Sequence, residues 1–206
     1  SASFTFVLTF RPSADVTFAI TSSDPSEGSA TPASLTFTAA NWDVPQTVTV
    51  TGADDAVDDG DVAYSILIGP GVSSDHDYSG FDPNDVSVTN TDNDVAGFDV
   101  TPVAGSGTAE QGGTASFSVR LRSRPTANVT VPVSSSDLTE GVISAPSLTF
   151  TPANWNSAQT VTVTGVDDPV DDGDIAYTAV TGPVSSADPI YAAINPADAS
   201  ATNTDN

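Results

Sequence analysis

The chain contains one long sequence twice, at a fixed offset of 113 residues. The run S-S-D-P-S-E-G from Ser22 returns as S-S-D-L-T-E-G from Ser135. S-L-T-F-T-A-A-N-W from Ser34 returns as S-L-T-F-T-P-A-N-W from Ser147, and Q-T-V-T-V-T-G-A-D-D-A-V-D-D-G-D from Gln46 returns almost unchanged from Gln159. Ser22–Ser65 and Ser135–Thr178 share 29 of 44 positions. A period this long exceeds a solenoid unit and suits a whole domain. Repeat one closes on T-N-T-D-N-D (Thr89–Asp94) and repeat two on T-N-T-D-N (Thr202–Asn206), which predicts domains over 1–94 and 95–206.

Within each repeat, apolar residues alternate with polar ones over short runs, the period of half-buried strands. Phe4, Phe6, Leu8 and Phe10 alternate first, followed by Val16, Phe18 and Ile20, then Leu35 and Phe37. Val48 and Val50, Tyr64, Ile66 and Ile68, and Val86 and Val88 complete the set. Repeat two echoes it with Phe117, Val119 and Leu121, with Val129, Val131 and Val133, and with Val161 and Val163. No useful 3.6-residue period appears, and the 15 Pro and 15 Gly fall mostly between the clusters. Six or seven strands per repeat predict an all-β chain of two tandem immunoglobulin-like antiparallel β-sandwiches. Repeat two carries a lead-in, Phe98-Asp-Val-Thr-Pro and then Ala109-Glu-Gln-Gly-Gly-Thr, whose counterpart in repeat one would lie before Ser1. Repeat one is therefore expected to lack most of its opening strand and to leave a sheet edge that needs covering. The abrupt start, without a signal-peptide pattern, reads as that of a piece of a longer chain.

Charge restricts the partners. Four Arg stand against 27 acids, for a net charge of −23, and Lys is absent. Such a chain repels nucleic acid and anionic membrane. No stretch approaches the roughly 18 apolar residues of a membrane span. Only Glu27, Glu110 and Glu140 are Glu; all other acids are Asp, the residue suited to tight turns and hard-cation sites. With no Cys there is neither a thiolate metal site nor a cysteine nucleophile.

The densest acidic run, D-D-x-V-D-D-G-D, occurs at Asp54–Asp61 and Asp167–Asp174, directly after a strand. Five carboxylates in eight residues repel one another unless they are solvated or neutralised, and Ca²⁺, which takes six to eight oxygens at about 2.3–2.6 Å, neutralises them well. Alternate strand ends share a pole of a sandwich, so Asp24, Asp137, Asp92, Asp94 and Asp205 are expected to gather at the same end. Trp42 and Trp155, each in Ala-Asn-Trp, read as hydrophobic plugs or, alternatively, as sugar-stacking platforms. His76 reads as a solvated loop residue, and Arg120, Arg122 and Arg124 as the water-facing side of a strand. No nucleophile–base pair, phosphate loop or dinucleotide fingerprint appears, so the chain reads as a non-enzyme.

The element Ala109-Glu-Gln-Gly-Gly-Thr-Ala-Ser-Phe-Ser-Val-Arg-Leu, the strand with its acids at Val161–Asp174 and the terminal Thr-Asp-Asn-Asp together resemble the Calx-β family, and the resemblance covers nearly the whole chain. It implies tandem Ca²⁺-binding sandwiches. Carried over by motif, it implies Glu110, Asp167, Asp168, the Val170 carbonyl, Asp172 and Asp205 as ligands in repeat two. In repeat one it implies Asp54, Asp55, the Val57 carbonyl, Asp59, Asp92 and Asp94, without an opening Glu. The family often places a further acid after its third strand; here Asp24 or Glu27, and Asp137 or Glu140, are the candidates. The resulting expectation is a Ca²⁺-stiffened structural or adhesion module of a large secreted or bacterial surface protein. Its partners would be neighbouring repeats of the same polypeptide and a surface protein or glycan. A carbohydrate-binding domain and a metal-free spacer are the alternatives.

Overall fold

The computed structural model describes residues 1–104 and 107–206. The chain is all-β: two immunoglobulin-like antiparallel sandwiches in tandem. By packing, unit 1 comprises Ser1–Asp55 with Asp59–Asp92, and unit 2 comprises Ala56–Asp58 with Asn93–Asn206.

Unit 1 holds β1 (Ala2–Phe6), β2 (Val16–Ser22), β3 (Gly28–Thr31), β4 (Ser34–Phe37), β5 (Gln46–Gly52), β6 (Val62–Ile68) and β7 (Val86–Asn90). Its sheets run β1-β5-β3 and β4-β2-β6-β7. The inward residues of both sheets interdigitate: Val16, Phe18, Phe37, Val48 and Ile66 are fully buried, and Phe6, Phe18 and Phe37 meet edge to face at centroid distances of 4.9–6.4 Å.

Unit 2 holds β8 (Phe98–Ala104), β9 (Gly107–Ala109), β10 (Thr114–Leu121), β11 (Val129–Ser135), β12 (Gly141–Ile143) and β13 (Ser147–Phe150). It continues with β14 (Gln159–Gly165), β15 (Ile175–Thr181), β16 (Ser185–Ser186), the single-turn helix α1 (Pro189–Ala192) and β17 (Ala199–Thr204). One sheet runs β12-β14-β10-β8 and the other β13-β11-β15-β17-β9, with β16 added to β11. The β17–β9 pairing is parallel. The core again follows the alternation, with Val119, Val129, Val131, Phe150 and Val161 fully buried.

Two expectations change. The alternation Phe4–Phe10 does not form one strand: β1 ends at Phe6, which pairs with Gln46, the first residue of β5. Beyond that point the backbone is irregular: Leu8 is buried, its amide donating to the Trp42 carbonyl at 3.1 Å, while Phe10 is 74% exposed. Nor did the apolar pattern mark α1. Asp188 nucleates this turn by accepting hydrogen bonds from the Ile190 and Tyr191 amides, and it is anchored in turn by the amide and hydroxyl of Thr126 at 2.8 and 3.0 Å. The helix drives Tyr191 into the core, where its hydroxyl donates to the Ser123 carbonyl at 2.7 Å. Asp75 and Tyr78 do the same work in unit 1: Asp75 accepts from Ser13, and Tyr78 donates to the Phe10 carbonyl at 2.7 Å. Trp42 and Trp155 pack half-buried against their cores.

Candidate metal centre

One pole of unit 2 is built from four chain segments. Antiparallel β15–β17 pairing sets Ile175 opposite Asn203, and parallel β17–β9 pairing sets Thr204 opposite Ala109. The acidic loop between β14 and β15, the C-terminal Asp205 and Glu110 therefore leave the sheets at the same end. Glu140, just ahead of β12, reaches that end because β12 pairs with the last residues of β14, Gly141 opposite Gly165.

At this pole one carboxylate oxygen each from Glu140, Asp168 and Asp172 lies within 4.8 Å of the others. Glu110 and Asp205 border a cleft of about 180 Å³ at this pole, together with Asp168, Val170 and Asp171. Glu110 is 4% exposed and Glu140 6%, so two of the chain's three Glu are buried acids. Burial, and then the carboxylates of Asp205, Asp168 and Asp172, push the Glu110 carboxyl above its ordinary value. Asp205 moves the other way. The Gly173 amide donates to it at 2.9 Å, and this outweighs its own desolvation to hold it below the usual carboxylate range.

Neutral groups hold the acids in place. The Asn203 amide donates to Glu140 Oε2 at 3.3 Å and to the Val166 carbonyl at 3.0 Å, while its oxygen accepts from the Thr108 hydroxyl at 2.9 Å. Gly165 lies so close to Asn203 and the Ala109 carbonyl that a Cβ there would collide with both. The Val170 amide donates to Asp168 Oδ1 at 2.8 Å. Gly173, at φ +79°, turns the loop so that its amide faces Asp205. Asn206 donates to both Glu110 and Asp167 at 3.2 Å. The Val170 carbonyl accepts from the Asp172 amide at 3.1 Å.

Asp137 stands apart from the three converging carboxylates. Its Oδ1 accepts from the Thr139 amide and hydroxyl at 3.0 and 2.5 Å and closes the turn that presents Glu140. These bonds hold its carboxyl below the usual range. Asp24 caps the equivalent turn in unit 1 through the Ser26 hydroxyl and amide, with the same effect.

In unit 1 the loop after β5 carries Asp54, Asp55 and Asp59. Asp92 Oδ2 accepts from the Asp59 and Gly60 amides at 3.1 and 2.8 Å, and Glu27 accepts from Asn90 at 3.2 Å. By packing, Val57 and Asp94 belong with unit 2, whereas Asp55, Asp59 and Asp92 belong with unit 1. Among the described residues, Glu140, Asp168 and Asp172 are the set of three carboxylates brought within 4.8 Å.

The donors at the unit 2 pole are all oxygen, mostly anionic, and partly buried. That combination fits a hard cation such as Ca²⁺ and lacks the nitrogen and sulfur that zinc selects. Sequence reasoning left Glu140 as an alternative to Asp137 and did not identify Asn203 as its positioning partner. The available signal was composition: a Glu persists at this position in both repeats of a chain that otherwise uses Asp.

No family model matches the chain, and no curated protein matches it. Solved structures match it at low identity. The calcium binding domain CBD12 of CALX1.1 is 16% identical over 89% of this chain and 74% of its own, with a TM-score of 0.37. Domains 4 and 5 of the S-layer protein SbsC are 17% identical over 91% and 75%, at 0.36. WR4, a C. elegans MSP family member, is 11% identical over 53% and 97%, at 0.34.

Proposed function

We propose that unit 2 binds Ca²⁺ at this pole and that the tandem serves as a structural or adhesion module of a larger extracellular protein, stiffened by the ion. The convergence of Glu140, Asp168 and Asp172 within 4.8 Å, beside a buried Glu110 whose carboxyl is pushed up by burial and its acidic neighbours, carries this reading. Glu140, Asp168 and Asp172 would hold the ion, with Glu110 and Asp205 bordering it. A bound dication supplies the positive charge that five crowded carboxyls lack. Asn203, the Val170 amide and the Gly173 amide orient three of those acids beforehand, so little side-chain freedom remains to be lost on binding. Neighbouring repeats of the same polypeptide are the proposed partners, in an extracellular setting, with no catalytic step.

The test is calorimetric titration of Ca²⁺ into chelator-stripped protein, repeated with Asp168→Asn and Asp172→Asn. We expect saturable binding that both variants weaken or abolish. Absence of heat, together with equal melting temperatures in Ca²⁺ and in chelator, would reject the metal site and leave a metal-free spacer.

A further inference from the structure

β9 brings three residues to the metal pole, Gly107, Thr108 and Ala109, and none carries a large apolar side chain. It is the last strand of its sheet, paired with β17 alone and in parallel, the slightly weaker arrangement. Docking it buries little apolar surface, so polar groups hold it instead. Thr108 is 4% exposed. Its one hydroxyl hydrogen goes to Asn203 Oδ1 at 2.9 Å, so it accepts from the Tyr177 hydroxyl at 3.0 Å. Asn203 donates in turn to Glu140 Oε2 at 3.3 Å, which links β9 to an acid of the site.

A second link is more direct. Glu110 follows β9, and its amide donates to the Thr204 carbonyl at 3.1 Å, extending the β9–β17 pairing by one bond. Glu110 is 4% exposed, and the charges of Asp205, Asp168 and Asp172 bear on its carboxyl. A tight turn fixes where that carboxyl goes. The Gly113 amide donates to the Ala109 carbonyl at 2.9 Å, Gly112 sits at φ +80°, and a Cβ on Gly113 would lie 2.7 Å from the Ala109 amide. Buried on so short a tether, Glu110 withdraws from its acidic neighbours chiefly by carrying the backbone of β9 with it.

The opposing terms differ in kind. Three strand residues and the two hydroxyl bonds of Thr108 favour docking. Crowding of Glu110 with three further carboxylates opposes it, and like charges repel more strongly where water is excluded.

We propose that β9 is a latch controlled by the cation: it docks on β17 when a dication offsets the acids around Glu110, and it releases when the dication leaves. This linkage, which rests on the Ca²⁺ reading above, is reciprocal: docking of β9 tightens binding of the ion by the same factor as the ion stabilises docking. Release uncovers the edge of β17 at Thr202–Thr204, so loss of Ca²⁺ turns a closed sheet edge into an open one.

The experiment is hydrogen exchange read by mass spectrometry on the full chain, in chelator and in saturating Ca²⁺, run beside the calorimetric titration. We expect exchange at Gly107–Glu110 to slow at least about tenfold with Ca²⁺, while β10 and β14, in the other sheet, change by less than about twofold. Glu110→Gln removes the charge and keeps the shape, so β9 should be protected already in chelator and Ca²⁺ should add little. Thr108→Val alters no carboxylate, yet should raise the Ca²⁺ dissociation constant at least about fivefold through the same linkage. Ca²⁺ binding with unchanged exchange at β9 overturns the latch and leaves the metal site standing. Slowing shared equally by β10 and β14 does the same, because it marks general stabilisation. Fast exchange at β9 in Glu110→Gln without Ca²⁺ also overturns the latch, since repulsion is then not what opens the strand. Absence of Ca²⁺ binding rejects the latch and the metal site together.

Discussion

Asp137 and Glu140 lie three residues apart, yet the turn between them gives them opposite tasks. Asp137 spends its carboxylate on the Thr139 amide and hydroxyl, whereas Glu140 is buried and points at Asp168 and Asp172. Glu140→Gln removes one anionic donor and is expected to raise the Ca²⁺ dissociation constant by about tenfold or more. Asp137→Asn keeps the turn's acceptor oxygen and should leave Ca²⁺ affinity within about twofold of the parent. Parallel calorimetric titrations decide between these assignments; equal losses in the two variants would show that Asp137 also serves the ion. Gly165→Ala tests the supporting shell. A methyl there displaces Asn203, which positions Glu140, so affinity should fall although no carboxylate has been altered.

At the scale of elements, the strands are held by alternation and the loops by buried acids. Asp188 ties α1 to the loop after β10. Burial alone would raise its carboxyl, but the Thr126, Tyr191 and Ile190 amides and the Thr126 hydroxyl outweigh that cost and hold it below the usual range. An acid with a lowered folded-state value stabilises the fold above its unfolded value and loses that contribution as pH falls through the folded one. Denaturant midpoints should therefore drop below about pH 4, with a smaller drop in Asp188→Asn. The neutral variant should also be less stable than the parent at pH 7, by about 2 kcal/mol, from weakened bonds to the Thr126, Ile190 and Tyr191 amides. In the core, Phe150→Ala should cost about 3–5 kcal/mol, since Phe150, on β13 opposite Val129 of β11, is fully buried. Urea melts of both variants check these values.

Taken as a whole, the molecule is a tandem duplication of one sandwich. Among the described residues, the three converging carboxylates are in unit 2. Ca²⁺ should therefore raise the melting transition of unit 2 more than that of unit 1, by about 2.7 kcal/mol per site at a hundredfold excess over the dissociation constant. Calorimetric scans with Ca²⁺ and with chelator resolve this; equal shifts in both transitions would place an ion in each unit. The all-β class, the alternating cores and the placement of the acidic runs on end loops were legible in the sequence, because a period of two and a turn signal are local properties of neighbouring residues. Which of Asp137 and Glu140 faces Asp168, that Asn203 holds Glu140, and that Phe10 leaves the core were decided only by tertiary structure. Each depends on a strand distant in sequence, β14 beside β12, β17 beside β9, and β5 ending its pairing with β1 at Phe6, and no local pattern specifies the distance between residues brought together by sheet register.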